Sequence, residues 1–224
     1  MIKNKIKGII FDFDGLIIDT ESAWYEALVE VFTAYGVQLP FELWVQSVGT
    51  SQDVFDPYIY FQQRYSEEID IEEVIEKVNQ QHSVIMSDKT LRPGVVSYME
   101  EAKQLGYKIG IASSSHLSWI EPFLHKYDIA KYIDTIRCAD FVEKVKPDPA
   151  VYLLTLEELG LEPDEAIAFE DSPNGAKAAT RAGIKVVIVP NPVTERLEFG
   201  PHLLLLQSMA DLKLIGVVNK CNLI

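Results

Sequence analysis

Two aspartates separated by one residue end the first apolar segment of the chain. Asp12 and Asp14 follow the apolar run over residues 6–11, and Gly15 comes directly after them. Side chains alternate along an extended chain, so both carboxylates project to the same side. Two carboxylates this close repel each other unless a cation or a proton lies between them, and Mg²⁺ prefers such hard oxygen ligands. The pattern predicts a cation-binding pair at the end of a buried strand, with an ordinary acidic surface turn as the alternative.

Further polar side chains follow later apolar segments. Ser113 follows one segment, Glu170 and Asp171 follow another, and Lys146 lies in a loop before a helical pattern. If the strands are parallel, their carboxyl ends meet at the sheet edge where ligands bind. Carboxylates, a hydroxyl and a lysine around one point suit a Mg²⁺-bound phosphoryl group, whose oxygens the metal and the lysine neutralise. Each residue alone is more typical of a solvated loop or a helix cap, but the set in this order predicts a phosphoryl site.

Strand and helix patterns alternate after residue 91. Apolar runs predict strands over residues 107–112, 133–138, 166–169, 185–189 and 203–206. Helical periods predict helices over residues 93–105, 117–124, 149–159, 174–182 and 209–218. Apolar strands separated by helices are typical of an α/β fold with a doubly wound parallel sheet, to which residues 6–11 add one more strand.

Residues 20 to about 90 carry helical periods and almost no strand pattern. Helices are predicted up to about Tyr35, capped by Thr20 or Ser22, and over residues 53–65 and 71–86, with a turn over residues 48–52. Because the first strand and the segment after residue 91 complete one sheet, the helical stretch must be an insertion. We therefore predict a discontinuous, Rossmann-like α/β core of residues 1–18 and 91–224 and an inserted α-helical cap of residues 19–90.

The composition narrows the choice of partners. The 224 residues carry a net charge of −14 at pH 7, with a pI of about 4.7. Such an acidic surface repels nucleic acid and anionic membranes, so we expect neither as a partner. An anionic small substrate is compatible if a metal and local cations reverse the field inside one cleft. Cys138 and Cys221 match no metal-ligand spacing, and neither a signal peptide nor a membrane-spanning apolar run is recognisable, so we expect a cytoplasmic monomer with Cys138 as a buried free thiol.

The motifs resemble those of the haloacid dehalogenase-like hydrolase superfamily, in the subgroup with a helical cap that includes β-phosphoglucomutase-like and sugar-phosphate phosphatases. The matching segments are residues 12–16 (Asp-Phe-Asp-Gly-Leu) with 19–21 (Asp-Thr-Glu), 112–114 (Ala-Ser-Ser), 146–149 (Lys-Pro-Asp-Pro) and 169–175 (Phe-Glu-Asp-Ser-Pro-Asn-Gly). The resemblance covers essentially the whole chain. As a set, these motifs are highly specific to the superfamily and weakly informative about the substrate.

The resemblance implies a catalytic cycle and names the residues for it. Asp12 would be the nucleophile that forms an aspartyl-phosphate, and Asp14 would be the general acid and base. Ser113, the backbone of Ser114 and Lys146 would bind the phosphoryl oxygens. A covalent carboxylate intermediate divides a very slow hydrolysis into two easier steps.

The resemblance also implies Mg²⁺ as the cofactor. Asp12, the backbone carbonyl of Asp14 and Asp171 would hold the metal, and Glu170 would support these ligands from behind. The implied function is a Mg²⁺-dependent phosphatase acting on a small phosphorylated metabolite, such as a sugar or polyol phosphate or phosphoglycolate. The residues expected to contact the substrate from the cap are Trp24, Trp44, Gly49, Thr50, Ser51 and Gln52.

Two alternatives to a phosphatase share part of this set of residues. β-Phosphoglucomutases carry a histidine early in the first cap helix, where this chain has Trp24, and an arginine in the cap turn, where it has Gln52. Both differences remove groups that would hold a second phosphate, which favours hydrolysis over mutase activity. A phosphorelay receiver also combines Asp, Ser or Thr and Lys on a doubly wound sheet, but it would be shorter and would lack the cap.

Overall fold

A six-stranded parallel sheet forms the centre of the α/β core. The structure, a computed structural model, describes residues 5–47 and 55–222. In spatial order the strands run β3-β2-β1-β4-β5-β6. Their bounds are Gly8–Phe11 for β1, Lys108–Ala112 for β2, Thr135–Arg137 for β3, Ala166–Glu170 for β4, Lys185–Ile188 for β5 and Leu204–Leu205 for β6. All neighbouring pairs are parallel, so every strand delivers its carboxyl end to the same edge.

Helices cover both faces of this sheet. In β1, Ile9 and Phe11 face one apolar cluster and Ile10 faces another, as the alternation along a strand requires. The first cluster includes residues of α5 (Val95–Gln104), α6 (Leu117–Lys126) and α9 (Leu214–Cys221). The second includes residues of α7 (Ala150–Leu159) and α8 (Pro173–Arg181). The predicted doubly wound α/β fold is therefore confirmed.

A helical region is inserted between β1 and β2, as predicted. It contains α1 (Thr20–Ala34), α2 (Phe41–Ser47), α3 (Pro57–Gln62) and α4 (Ile71–Asp88). These helices share an apolar cluster of their own, which includes Leu28, Phe32, Phe61, Val74 and Val78. Of the six residues expected to contact the substrate from this region, Gly49, Thr50, Ser51 and Gln52 lie outside the described residues.

Arg92 makes several hydrogen bonds where the inserted helical region joins the sheet. Its guanidinium donates to the carbonyl oxygens of Gly15 at 2.6 Å, Val189 at 3.0 Å and Pro190 at 2.6 Å. Its backbone N–H donates to Ile17 O at 2.9 Å. The segment before the inserted helices, the segment after them and the loop after β5 are therefore joined by hydrogen bonds of one residue.

Several predicted element ends were wrong. The N-cap of α1 is Asp19, whose carboxylate accepts from Ser22 N, and neither Thr20 nor Ser22 fills that position. The predicted helix over 53–65 is the shorter α3, which Asp56 caps by accepting from two backbone N–H groups. Residues 41–47 form a helix where only a polar-apolar stretch was expected. The closing helix begins at Leu214 instead of at Met209.

Two further expectations concern the whole chain. Cys138 is a buried free thiol, as predicted, and Cys221 is buried and free as well. Among the described residues, no helix combines the length and the apolar character that crossing a membrane requires.

Candidate active site

Three acidic side chains meet at the carboxyl edge of the sheet. Asp12 follows β1, Glu170 ends β4 and Asp171 follows it, and all three are almost completely buried. Each has a carboxylate oxygen within 4.8 Å of an oxygen of the other two. β1 and β4 are neighbours in register, with Phe11 opposite Phe169, and this pairing places the residues after them side by side.

Lys146 supplies positive charge to this cluster from the loop before α7. Its ammonium lies 2.6 Å from Asp12 Oδ1 and 2.7 Å from Glu170 Oε1, and its side chain is 6% exposed. Tyr152, on α7, also donates to Glu170 Oε1. Burial alone would lower the pKa of Lys146, but the adjacent Asp12 and Glu170 raise it above its usual value. The lysine is therefore a permanently charged partner of Asp12.

Two buried carboxylate oxygens of the cluster have no hydrogen-bond partner among the described residues. They are Asp171 Oδ1 and Glu170 Oε2. The other Asp171 oxygen accepts from Asn191 Nδ2 at 2.7 Å, and Asn191 is fixed in turn by two backbone N–H groups that donate to its Oδ1. An unpartnered buried carboxylate oxygen is costly unless it meets a cation. The donor set, all hard oxygens, fits Mg²⁺.

Two glycines make room for these carboxylates. A Cβ on Gly15 would lie 2.1 Å from Asp171 Oδ2, and the φ of +74° at Gly15 is one that other residues rarely adopt. A Cβ on Gly175 would lie 1.9 Å from Glu170 Oε2. The backbone after β1 and the start of α8 are thus close enough to the acidic cluster that only glycine fits.

The repulsion among the carboxylates is visible in their proton affinities. Burial, followed by the charge of Glu170, raises the pKa of Asp12 to about 6, against the lowering effect of Lys146. Burial and the charge of Asp12 raise the pKa of Asp171 well above its usual value. Glu21, at the start of α1, has a pKa raised to about 8 by burial and by the charges of Asp14 and Asp12. Without a cation, the site has more negative charge than Lys146 can balance.

Asp14 lies apart from this cluster and takes different partners. Its Oδ2 accepts from Ser115 Oγ at 2.6 Å, and its Oδ1 accepts from Trp119 Nε1 at 2.8 Å. Burial raises the pKa of this carboxyl as well. A carboxyl with a raised pKa is suited to both giving and taking a proton near neutral pH.

The serines after β2 take different positions. Ser113 is buried, and its Oγ accepts from Ser115 N at 3.0 Å. Ser114 is exposed and lines the cavity above Asp12, as does Ser115. Sequence reasoning selected the first two serines and missed Ser115, although the run of three serines contains it.

A cavity of about 1190 Å³ opens above Asp12, Asp14 and Lys146. The wall carries charges of both signs: Lys144 and Arg181 lie on it together with Glu21, Glu143 and Asp148, so an anionic ligand would find cations at some positions only. Trp24 of α1 lines this cavity. Trp44 does not; it is buried in the helical region, where it lines a separate space of about 370 Å³ with Trp24.

Sequence comparisons relate the chain to proteins of known type. Residues 9–189 match the family described as haloacid dehalogenase-like hydrolase. YhcW of Bacillus subtilis (strain 168) is 42% identical over 217 residues, which cover 97% of this chain and 98% of YhcW. The phosphorylated carbohydrates phosphatase of Thermotoga maritima is 31% identical over 185 residues, covering 80% of this chain and 83% of that protein.

A solved structure shares the fold over almost the whole chain. CbbY from Rhodobacter sphaeroides, in a crystal structure in complex with phosphate, superposes with a TM-score of 0.74 at 28% identity, covering 95% of this chain and 99% of CbbY. The resemblance drawn from the motifs, and the expectation of a hydrolase enzyme, are confirmed. With its acidic sheet edge, its buried lysine and its inserted helical region, the chain belongs to the haloacid dehalogenase-like hydrolase family.

Proposed function

We propose that the protein is a Mg²⁺-dependent phosphatase that hydrolyses a small phosphorylated metabolite, a sugar or polyol phosphate, through an aspartyl-phosphate. The observation that carries this proposal is the placement of Asp12. Its carboxylate is paired with the buried Lys146, adjoins the two other buried acids and lines a large cavity whose wall also carries Lys144 and Arg181. The phosphorylated carbohydrates phosphatase of Thermotoga maritima and the phosphate in the CbbY crystal point to the same class of substrate.

In the first step, an Asp12 oxygen attacks the phosphorus of the ester. The bond between phosphorus and the ester oxygen breaks, its electron pair stays on that oxygen, and Asp14 gives the oxygen a proton, so an alcohol leaves. Lys146 keeps Asp12 ionised and balances charge that develops on the phosphoryl oxygens. The Ser114 backbone and the basic side chains of the cavity wall bind what remains of that charge.

In the second step, water attacks the phosphorus of the aspartyl-phosphate. Asp14, now a carboxylate, takes a proton from this water, and the bond between phosphorus and the Asp12 oxygen breaks. Inorganic phosphate leaves, and both aspartates return to their first states. Asp12 and Asp14 thus have separate tasks, in keeping with their separate hydrogen-bond partners.

Asp12, Asp171 and the backbone carbonyl of Asp14 would hold Mg²⁺, with Glu170 directly behind them. The unpartnered oxygens of Asp171 and Glu170 fit a cation at this position. When bound, Mg²⁺ supplies positive charge that offsets the repulsion between Asp12 and the phosphoryl oxygens.

Mg²⁺ is expected to stabilise the protein independently of catalysis. At a fixed concentration that equals about one hundred times the Kd at pH 7.5, Mg²⁺ should raise Tm by about 5 to 10 °C, because binding to the folded state alone lowers its free energy. The rise should be larger at about pH 7.5 than at about pH 5. The raised pKa of Asp12 means that stability of the metal-free protein falls as pH rises from 3.8 to about 6, and the cation removes that loss.

Thermal melting with Mg²⁺ and with chelator, at both pH values, tests this expectation. Asp171→Asn should remove most of the rise in Tm, whereas Asp164→Asn, at an exposed carboxylate paired with Lys5, should leave it intact. An equal rise in Tm for wild type and Asp171→Asn would place the cation elsewhere.

Phosphate release from a panel of small phosphate esters tests the function itself. We expect multiple turnover with Mg²⁺, none with excess chelator, and the highest kcat/KM among sugar and polyol phosphates. Interconversion of hexose phosphates without phosphate release would instead identify a mutase, despite Trp24 in the cavity wall. A single phosphorylation of the protein without turnover would identify a receiver.

A further inference from the structure

Both oxygens of the Asp14 carboxylate accept hydrogen bonds from residues that follow β2. The Ser115 hydroxyl donates to Oδ2 at 2.6 Å, the Ser113 hydroxyl lies 3.5 Å from the same oxygen, and the Trp119 indole N–H donates to Oδ1 at 2.8 Å. An indole N–H can only donate, whereas a hydroxyl can donate or accept. The Trp119 bond therefore fixes Oδ1 as an acceptor and leaves Oδ2 to carry the proton of the acid form. Ser115 can follow that change by turning its hydroxyl.

The indole of Trp119 has aromatic neighbours on two sides. On the core side, Phe123 contacts it edge-on, with 5.0 Å between the ring centroids. On the side of the inserted helices, His82 of α4 stacks on it at 5.6 Å, with 26° between the ring planes. His82 in turn stacks on Trp24 of α1 at 3.6 Å and 9°. One aromatic column thus runs from the inserted helices to the indole that holds Asp14.

His82 takes part in this column through ring stacking on both indoles. It is buried, and within the described part of the chain its Nε2 has no hydrogen-bond partner. Burial and the charge of Lys89 lower its pKa to about 4, so the ring is neutral near pH 7. A neutral imidazole stacks face to face between two indoles without the cost of burying a charge.

We propose that Trp119 is the positioning residue for Asp14: its N–H orients the carboxylate so that Oδ2 is presented for proton transfer, and the Trp24–His82 stack holds the indole in place. This inference rests on the proposed phosphatase and on Asp14 as its acid. Trp119 also lines the cavity, and its proposed task there is the hydrogen bond to Asp14. Trp24 and His82 thereby have a task in catalysis that their position in the inserted helices alone does not reveal.

The leaving group of the substrate reports directly on this positioning. An alkoxide is a poor leaving group and needs the proton of Asp14, whereas p-nitrophenolate leaves without one. kcat/KM covers events only up to the first irreversible step, so it isolates transfer to Asp12 from the later attack of water. A misplaced Asp14 should therefore lower kcat/KM for an alkyl phosphate and spare kcat/KM for p-nitrophenyl phosphate.

Two substitutions separate the N–H of Trp119 from its ring. Trp119→Phe keeps an aromatic ring in the stack but has no donor. Trp119→Gln loses the ring but keeps a donor, because the amide nitrogen of glutamine is separated from Cα by the same number of bonds as the indole nitrogen. Phe123→Leu serves as the matched control, because Phe123 packs against the same indole and makes no bond to Asp14.

We expect Trp119→Phe to lower kcat/KM about 10- to 100-fold for the best alkyl phosphate of the panel and less than about 3-fold for p-nitrophenyl phosphate. Trp119→Gln should restore most of the ratio between the two esters, and Phe123→Leu should leave that ratio within about 3-fold of wild type. Melting curves establish that each variant is folded. If Trp119→Phe does not fold, Trp119→Leu against Trp119→Gln makes the same comparison of donor absent and donor present.

An equal loss on both esters, or no loss on either, would overturn the inference and leave the proposed phosphatase standing, since wild type would still hydrolyse both. A ratio changed as much by Phe123→Leu as by Trp119→Phe would also overturn it, because packing would then explain the effect. Failure of wild type to release phosphate from either ester would overturn the proposed function first, and the inference with it.

Discussion

Replacing Asp12 by asparagine is expected to lower kcat for phosphate ester hydrolysis by about four orders of magnitude or more while leaving the fold intact. Removal of a covalent nucleophile costs a loss of this size in other hydrolases. Asparagine has nearly the volume of aspartate, so the substitution should not disturb the packing of the buried neighbours Phe11 and Phe13. The amide carries no charge and cannot form the aspartyl-phosphate.

The stability of this variant separates a lost nucleophile from a lost fold. Asp12→Asn removes one of the mutually repelling carboxylates, so in chelator the variant should melt at or above the temperature of wild type. Asp14→Asn is the matched comparison: it removes the proton donor, leaves the nucleophile and keeps the backbone carbonyl. It should lose activity mainly on alkyl phosphates. Substantial phosphate release by Asp12→Asn would show that the covalent route is wrong.

The acidic sheet edge could be predicted because its signals are local. Asp12, Ser113 and Glu170 each end an apolar segment, and a parallel sheet brings such ends to one edge whatever the order of its strands. Lys146 lies in a loop and follows no apolar segment, so only the Lys-Pro-Asp-Pro motif over residues 146–149 indicated that it belongs to the site.

The supporting residues could not be predicted, because each acts through a single contact over a long sequence separation. Asn191 reaches back 20 residues to Asp171, and Trp119 reaches back 105 residues to Asp14. Tyr152 resembles any buried helical aromatic until Glu170 is placed beside it. No periodicity or spacing in the chain marks these three residues.

The start of the last helix shows the same limit for secondary structure. Buried Met209 extends the apolar pattern, but a turn closes over residues 208–211, where Ser208 N donates to Asp211 Oδ2 at 2.9 Å. The helix begins at Leu214 because the carboxylate of Glu101, on α5, accepts from the backbone N–H groups of Leu214 and Ile215. A distant side chain thus caps this helix, in the place of a local one.

Replacing Lys146 by methionine is expected to lower kcat/KM about 1000-fold and to destabilise the protein together with it. Methionine is unbranched like lysine, has nearly its volume, ends one atom earlier and carries no charge. Asp12 and Glu170 would then face each other without the ammonium that lies within 2.7 Å of both. Breaking a buried ion pair by removing one partner costs about 3 to 5 kcal/mol in other proteins, because an uncompensated charge stays behind.

Chemical denaturation with Mg²⁺ and with chelator distinguishes the two tasks of this lysine. If Lys146 mainly balances charge, Mg²⁺ should restore much of the free energy of unfolding that Lys146→Met loses. It should restore little of the activity, because the cation cannot also take the place of the ammonium beside the phosphoryl group. Lys177→Met, at an exposed lysine on α8, should change neither quantity. Activity of Lys146→Met within about 10-fold of wild type would mean that the metal site alone carries the phosphoryl charge, and the role proposed for the lysine would be wrong.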